Sequence, residues 1–333
     1  MRHAGTIFLL LVFAVNVDAR ALKIATLSPD GTTWMKIMRN AAKVVADQTE
    51  NRVRIKFYPG GVMGNDRAVL RKIAMGQLQG GVFVSGSLSE FYPANQVYNL
   101  PLIFKNYQEV DYVRKRMDPI IMQGMEQAGF VTFGLAEGGF AYLMSKEPVQ
   151  SIEDLRKQKV WIPDNDVTSL ETLKTFGVSP IPLSLADVRT ALQTGLINTV
   201  AASPVGAIAL QWHTQINYLT DIPLIYVYGM LAVDKKAFSR FSSKDQSILR
   251  EVMGAAFGEI DRQNRIDNKN ALKALRRQGI QFVKPTADAL KRWQSTAFNA
   301  SERLIRAGKL SKDIIDTLMR NLSDFRSGKP SNQ

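Results

Sequence analysis

Residues Lys159–Ser203 read KVWIPDNDVTSLETLKTFGVSPIPLSLADVRTALQTGLINTVAAS. Lys159 to Ile162 is a short β-branched and aromatic run closed by Pro163, the pattern of a buried strand. Asp164 to Asp166 can cap a following helix. From Val167 to Phe176 apolar residues recur at 167, 170, 173 and 176, one face of a helix that Gly177 ends. Two prolines keep Ser179 to Leu183 extended. Ala186 to Gln193 reads as a second helix with Gly195 behind it, and Leu196 to Ala202 as another strand. Strand, helix, strand, helix, strand is half of a doubly wound α/β domain.

The chain has 333 residues, 45% hydrophobic and 22% charged, enough for a large core in two domains. Without cysteine it has no disulfide, thiol nucleophile or thiolate metal site, and two histidines, His3 and His213, exclude a His-rich metal centre. The start MRHAGTIFLLLVFAVNVDARA reads as a cleaved signal peptide over residues 1–21, with Ala19-Arg20-Ala21 or Val17-Asp18-Ala19 at the cut. Its apolar run is too short to span a bilayer. The expected location is therefore the periplasm. The net charge of +13 is spread along the chain among acids, so a solvated surface is expected rather than a nucleic-acid interface.

The N-terminal part repeats the winding. Leu22 to Leu27 and the alternating Val53 to Tyr58 read as strands, and Gly81 to Ser85 as a third. Helices are expected from Trp34 to about Thr49, behind Thr32 or Thr33, and from Arg67 to Met75. Asn106 to Gly129 is a long helix. Phe130 to Ser145, interrupted at Gly138-Gly139, and Tyr218 to Val233 are long extended runs. Val205 to Ile216 reads as a helix, and Ser243 opens a very long one to about Gln278. Helices from Thr286 to Arg306 and from Ser311 to Asp324 close the chain.

The block Glu153-Asp154-Leu155, Lys159-Val160, Pro163, Gly177, Pro180 to Pro182 and Ala191 to Gly195 resembles the solute-binding proteins of tripartite ATP-independent periplasmic (TRAP) transporters, the DctP-type family. PGGVMGNDRAVLRKIAMGQLQG at 59–80 and Asn99 to Phe104 resemble its earlier segments, in the same order. The resemblance implies an α/β two-domain clam-shell with central β-sheets flanked by helices and a long interdomain helix. Domain I would comprise 22–138 and 230–285, and domain II 139–229. Helices over 286–326 would pack on both, before a disordered tail at 327–333.

The same resemblance implies a receptor that passes a small ligand to small and large membrane permease subunits, with no cofactor. Some relatives work with a helical-repeat periplasmic partner. In most of the family an arginine that clamps the ligand's carboxylate stands where this chain has Trp161. Tryptophan offers one N–H and a large apolar face and cannot replace that fork. The position near Phe140 or Ala141 also lacks a cation, and the stretch Asn198 to Ser203 has lost polar side chains. An atypical subgroup with a hydrophobic or amphipathic ligand is expected, or an organic acid held through Arg67 or Arg71.

In open α/β sheets ligands sit at the carboxyl ends of strands. The candidates there are Ser28, Pro29, Trp34, Met63, Arg67, Ser85, Gly86, Glu137, Phe140, Trp161, Pro163, Ser203 and Pro204. No motif for hydrolysis, phosphate binding or metal catalysis is present. A periplasmic enzyme acting with carboxylates alone is the alternative, and a scaffold with an empty cleft a third reading.

Overall fold

The computed structural model describes residues 20–164 and 166–328. The proposed signal peptide, except Arg20 and Ala21, and the end of the tail fall outside the described residues. Arg20 and Ala21 already pair in the first strand, opposite Val53 and Arg54.

The first layers are β1 (Arg20–Thr26), α1 (Thr33–Gln48), β2 (Val53–Tyr58), α2 (Asp66–Ala74) and β3 (Gly80–Val84). The three strands are parallel, with β1 in the middle. Thr32 caps α1 by accepting from the Met35 amide, and Asn65 caps α2 by accepting from Ala68. A 3-10 stretch at Pro93–Asn99 leads into α3 (Tyr107–Gln127), β4 (Phe130–Val131) and β5 (Ala136–Ser145). The expected break at Gly138-Gly139 is instead a bulge inside β5. Glu137 pairs with Tyr228 and Gly139 with Val227, leaving Gly138 as the extra residue. Gly139 has φ +89°, and a Cβ there would meet the side chain of Asn268.

The second half holds α4 (Ile152–Arg156), β6 (Trp161–Pro163), α5 (Val167–Thr175), β7 (Ile181–Leu183), α6 (Val188–Thr194) and β8 (Thr199–Ala202). It continues through α7 (Pro204–Ala209) and β9 (Tyr218–Thr220) into β10 (Ile225–Asp234). The helix expected over 205–216 is therefore split. Gln211 takes the left-handed conformation at φ 58°, and the chain resumes as a 3-10 turn at Trp212–Gln215. The chain ends with α8 (Lys235–Phe238), α9 (Ser243–Arg277), β11 (Gln281–Val283), α10 (Ala287–Arg306) and α11 (Lys312–Arg326). The cap of α9 is Ser242, one residue before the serine expected; its hydroxyl accepts from the Asp245 amide.

One mixed sheet runs β11-β9-β5-β10-β3-β1-β2, with β4 beside β10 and β8 beside β5. The antiparallel pair β5 and β10 therefore belongs to both halves of the molecule. A separate pair, β6 and β7, is parallel and touches β8 through a Val160–Thr199 bridge. Helix α9, about 50 Å long at 1.5 Å per residue, spans the halves. Its Leu249, Met253, Phe257 and Ile260 enter the core under β1 and β2, and its Leu275 enters the core around Trp161 and Trp212. Between these apolar ends lie Asp261, Asn264, Arg265 and Asn268, spaced to share one face. Helix α10 packs on α5 in the second half, while α11 packs on α3 in the first.

Candidate functional site

The strand ends meet between the halves and enclose two adjoining chambers. The first, of about 280 Å³, takes walls from Asp66, Arg67, Ser85 and Gly86 on one side and from Trp161, Pro163 and Ser203 on the other. It continues along α5 to Phe176 and Trp293. The second, of about 440 Å³, is lined by Ser28, Pro29, Thr32, Trp34, Glu137, Asn264 and Asp267. Asp66, Val84, Leu185, Gly206 and Leu210 belong to both walls.

Three sequence candidates stand on neither wall. Met63 gives its carbonyl to Lys72 Nζ at 2.9 Å. Phe140 is in the core, its ring 4.9 Å from that of Tyr107 and 5.8 Å from that of Tyr226. Pro204 opens α7, where Ser203 caps by accepting from the Gly206 amide. Arg71 also lies off both walls, whereas Arg67 is the only basic residue among the described residues lining either chamber.

Trp161 is wall and core together. It is 6% exposed, its Nε1 donates to the Leu183 carbonyl at 3.0 Å, and its ring meets Trp212 edge-on at 5.2 Å. Its one N–H is thus used in joining β6 to β7, and an apolar face is what it presents. Most of the surface around it is also apolar: Ile162, Leu173, Leu185, Ala202, Leu210 and Leu224.

Three aspartates share this chamber. Asp66 accepts a short hydrogen bond from Ser87, and burial pushes its carboxyl above the ordinary range, with Asp164 nearby adding to the shift. Asp166 caps α5 by accepting from the Ser169 amide and hydroxyl at 2.9 and 2.7 Å. It also accepts from Gln96 Nε2 at 2.6 Å, and Gln96 Oε1 accepts from Thr168 at 2.8 Å. Burial pushes Asp166 up as well. Gln96, in the 3-10 stretch of the first half, thereby holds the start of α5 in the second. Sequence periodicity gave no sign of Gln96, because a 3-10 stretch has no amphipathic stripe to read.

Glu137 is fully buried behind the second chamber. It accepts from Arg265 Nε and Nη2 at 3.0 and 2.7 Å and from the Tyr226 hydroxyl at 3.0 Å. Arg114 Nη1 lies 3.7 Å away and is itself paired with Asp261 at 2.8 Å. Burial pushes the Glu137 carboxyl up, and Arg265 opposes the push. The Glu137 amide donates to Asp261 at 2.6 Å, and its carbonyl accepts from Asn264. Asn268 donates to the Gly138 carbonyl at 3.0 Å and accepts from the Val205 amide at 3.1 Å. The polar face of α9 therefore holds both the bulge of β5 and the start of α7. Among the described residues, no group of three or more His, Asp or Glu is placed to hold a metal ion.

Comparison with known proteins places this geometry. The chain is 29% identical over 202 residues to the uncharacterized protein YiiZ of Salmonella typhimurium, a match over 57% of this chain and 61% of that one. It thus spans less than two thirds of that relative. The sialic acid-binding periplasmic protein SiaP of Vibrio cholerae is 25% identical over 224 residues, 64% of this chain and 68% of its own. The sugar acid binding protein DctPAm of Advenella mimigardefordensis, solved with galactonate, superposes with a TM-score of 0.84 at 18% identity, covering 92% of this chain and 98% of that one. These are binding proteins by name or by bound ligand where a role is given, and the two-domain α/β fold is shared. The model of the family described as DctP, bacterial extracellular solute-binding protein, family 7, matches residues 24–306, and the chain belongs to that family.

Proposed function

We propose that the protein is a periplasmic receptor of a TRAP-type transporter, exported through a leader cleaved after Ala19 or Ala21; the pairing of Arg20 and Ala21 in β1 favours Ala19. It captures a small molecule with an apolar body in the chamber walled by Trp161. Closure about β5, β10 and α9 then presents the complex to the membrane permease subunits. A helical-repeat periplasmic partner is a further proposal, tested by its co-purification with the tagged receptor.

The observation that carries the ligand class is the lining of the first chamber. The acid-binding relatives suggest a carboxylate ligand, SiaP by its name and DctPAm by its bound galactonate. Here a carboxylate would meet Asp66, Asp164 and Asp166, with Arg67 as the basic residue on the wall. Three aspartates against one arginine leave such an anion among like charges, a placement that costs several kcal/mol in order of magnitude. An apolar body against Trp161, Leu173 and Leu210 instead gains roughly 25 cal/mol for each Å² removed from water. The departure of Trp161 from the family's arginine supports an atypical subgroup.

The test is mass spectrometry of whatever co-purifies with the mature protein after denaturing extraction. An apolar or amphipathic molecule is expected. A short polar organic acid would overturn the ligand class while leaving the receptor role intact.

A further inference from the structure

The first chamber is not uniformly apolar at its inner end. It follows α5 from the capping Asp166 to Phe176, ten residues or about 15 Å at 1.5 Å per residue. Trp293 of α10 packs edge-on against Phe176 with ring centroids 6.2 Å apart. Leu143, Leu155, Val160 and Phe176 enclose this end, all part of one buried cluster with Trp293. Two lining residues there carry polar atoms without a partner: Thr172 Oγ1 and Trp293 Nε1. Both side chains are buried, Trp293 at 1% and Thr172 at 9% exposure.

A buried indole N–H usually finds an acceptor, and leaving one without costs about 1–3 kcal/mol. A water bridging Thr172 and Trp293 would have only the minimum of the two to four polar partners an ordered molecule takes, so a ligand oxygen can displace it at little cost. We infer that Thr172 and Trp293 form a donor subsite for an uncharged oxygen of the ligand, such as a ketone, ester or ether. The inference deepens the receptor reading above and rests on it. A carboxylate does not suit the position: among the described residues no basic side chain lines this end of the chamber, and two neutral donors leave most of an anion's lone pairs unmet. Hydrocarbon does not suit it either, because it would leave both donors unmatched. The ligand therefore enters with an acceptor foremost and lays its apolar body along α5, past Trp161.

Calorimetry with 2-octanone, n-octane and octanoate as probes on the mature protein, stripped of co-purified ligand, tests this. The ketone is expected to bind about tenfold or more tightly than either of the others, the worth of one to two hydrogen bonds. Thr172→Val, which keeps the shape, is expected to weaken the ketone several-fold and octane far less; Trp293→Phe, which also removes apolar wall, is expected to weaken both, the ketone more than octane. Equal affinity for ketone and octane, in the wild type alone, overturns the donor subsite and leaves the apolar chamber standing. Octanoate as the tightest probe overturns the uncharged acceptor and the proposed ligand class together. Failure of all three to bind overturns the reading of the chamber itself, and the subsite with it.

Discussion

Glu137 and Asp166 are both buried carboxylates where the two halves of the molecule meet, and they are held in opposite ways. Glu137 is 0% exposed and bonded by the Arg265 guanidinium, with Arg114 behind it. Asp166 is 8% exposed, and its bonds come from an amide side chain, a backbone N–H and a hydroxyl. The first is a charge matched by charge inside the joint of β5, β10 and α9. Opening the cleft need not disturb it. The second ties Gln96 of one half to α5 of the other with neutral donors, and separation would return the carboxylate to water at little cost. A clam-shell needs both: a joint that resists and a contact that releases.

The comparison breaks first at Glu137. Removing one partner of a buried ion pair leaves the other uncompensated, so Glu137→Ala should lower stability by about 3–5 kcal/mol. Denaturant midpoints would measure it. A loss under about 1 kcal/mol would mean that the joint does not depend on the Glu137 charge, and that Asp261, Asn264 and Asn268 hold β5 without it.

Gln96→Ala should cost less, about 1 kcal/mol in global stability, since Asp166 keeps its bonds to Ser169. Its larger effect should be on shape. With the link from Gln96 gone, the ligand-free protein should scatter X-rays as a more extended particle, and the difference should vanish when ligand closes the cleft. Identical scattering of variant and wild type would show that Gln96 is packing rather than a releasable contact.

The two sites also differ in how far the sequence reveals them. Local pattern placed most strands and helices, because apolar spacing and caps such as Thr32 act within a few residues. It failed where the signal is local but conformational. Gln211 takes a left-handed turn with no glycine to announce it, and the serine pair Ser242-Ser243 leaves the cap ambiguous by one residue. The joint is harder still. Asp261, Asn264, Arg265 and Asn268 read as a solvated polar face, and only the crossing of β5 beneath them turns it inward. In the site, Trp161 was legible as a departure from the family. Thr172 and Trp293 were not, since an unmatched donor exists only once the atoms around it are known.

The smallest expected effect is in pH, where burial shifts Asp166 and Glu137 the same way, upward, and a substitution at Asp166 isolates its share. Burial raises Asp166 above its ordinary value, so the folded protein holds this proton more tightly than the unfolded chain. Its contribution to stability is complete below the unfolded value and is lost as pH rises through the folded one. Asp245, bonded to Arg52, and Glu109, bonded to Arg326, are shifted down; their contributions are present above the unfolded value and fade on acidification. Those pairs are common to wild type and Asp166→Asn, so they cancel when the two proteins are compared. Acidification from neutral pH should therefore stabilise the wild type relative to Asp166→Asn, with the change falling above the ordinary aspartate range. Melting temperatures of both proteins across that window would measure it. A difference independent of pH would mean that the neutral donors satisfy the ionised carboxylate fully, and that burial costs Asp166 nothing.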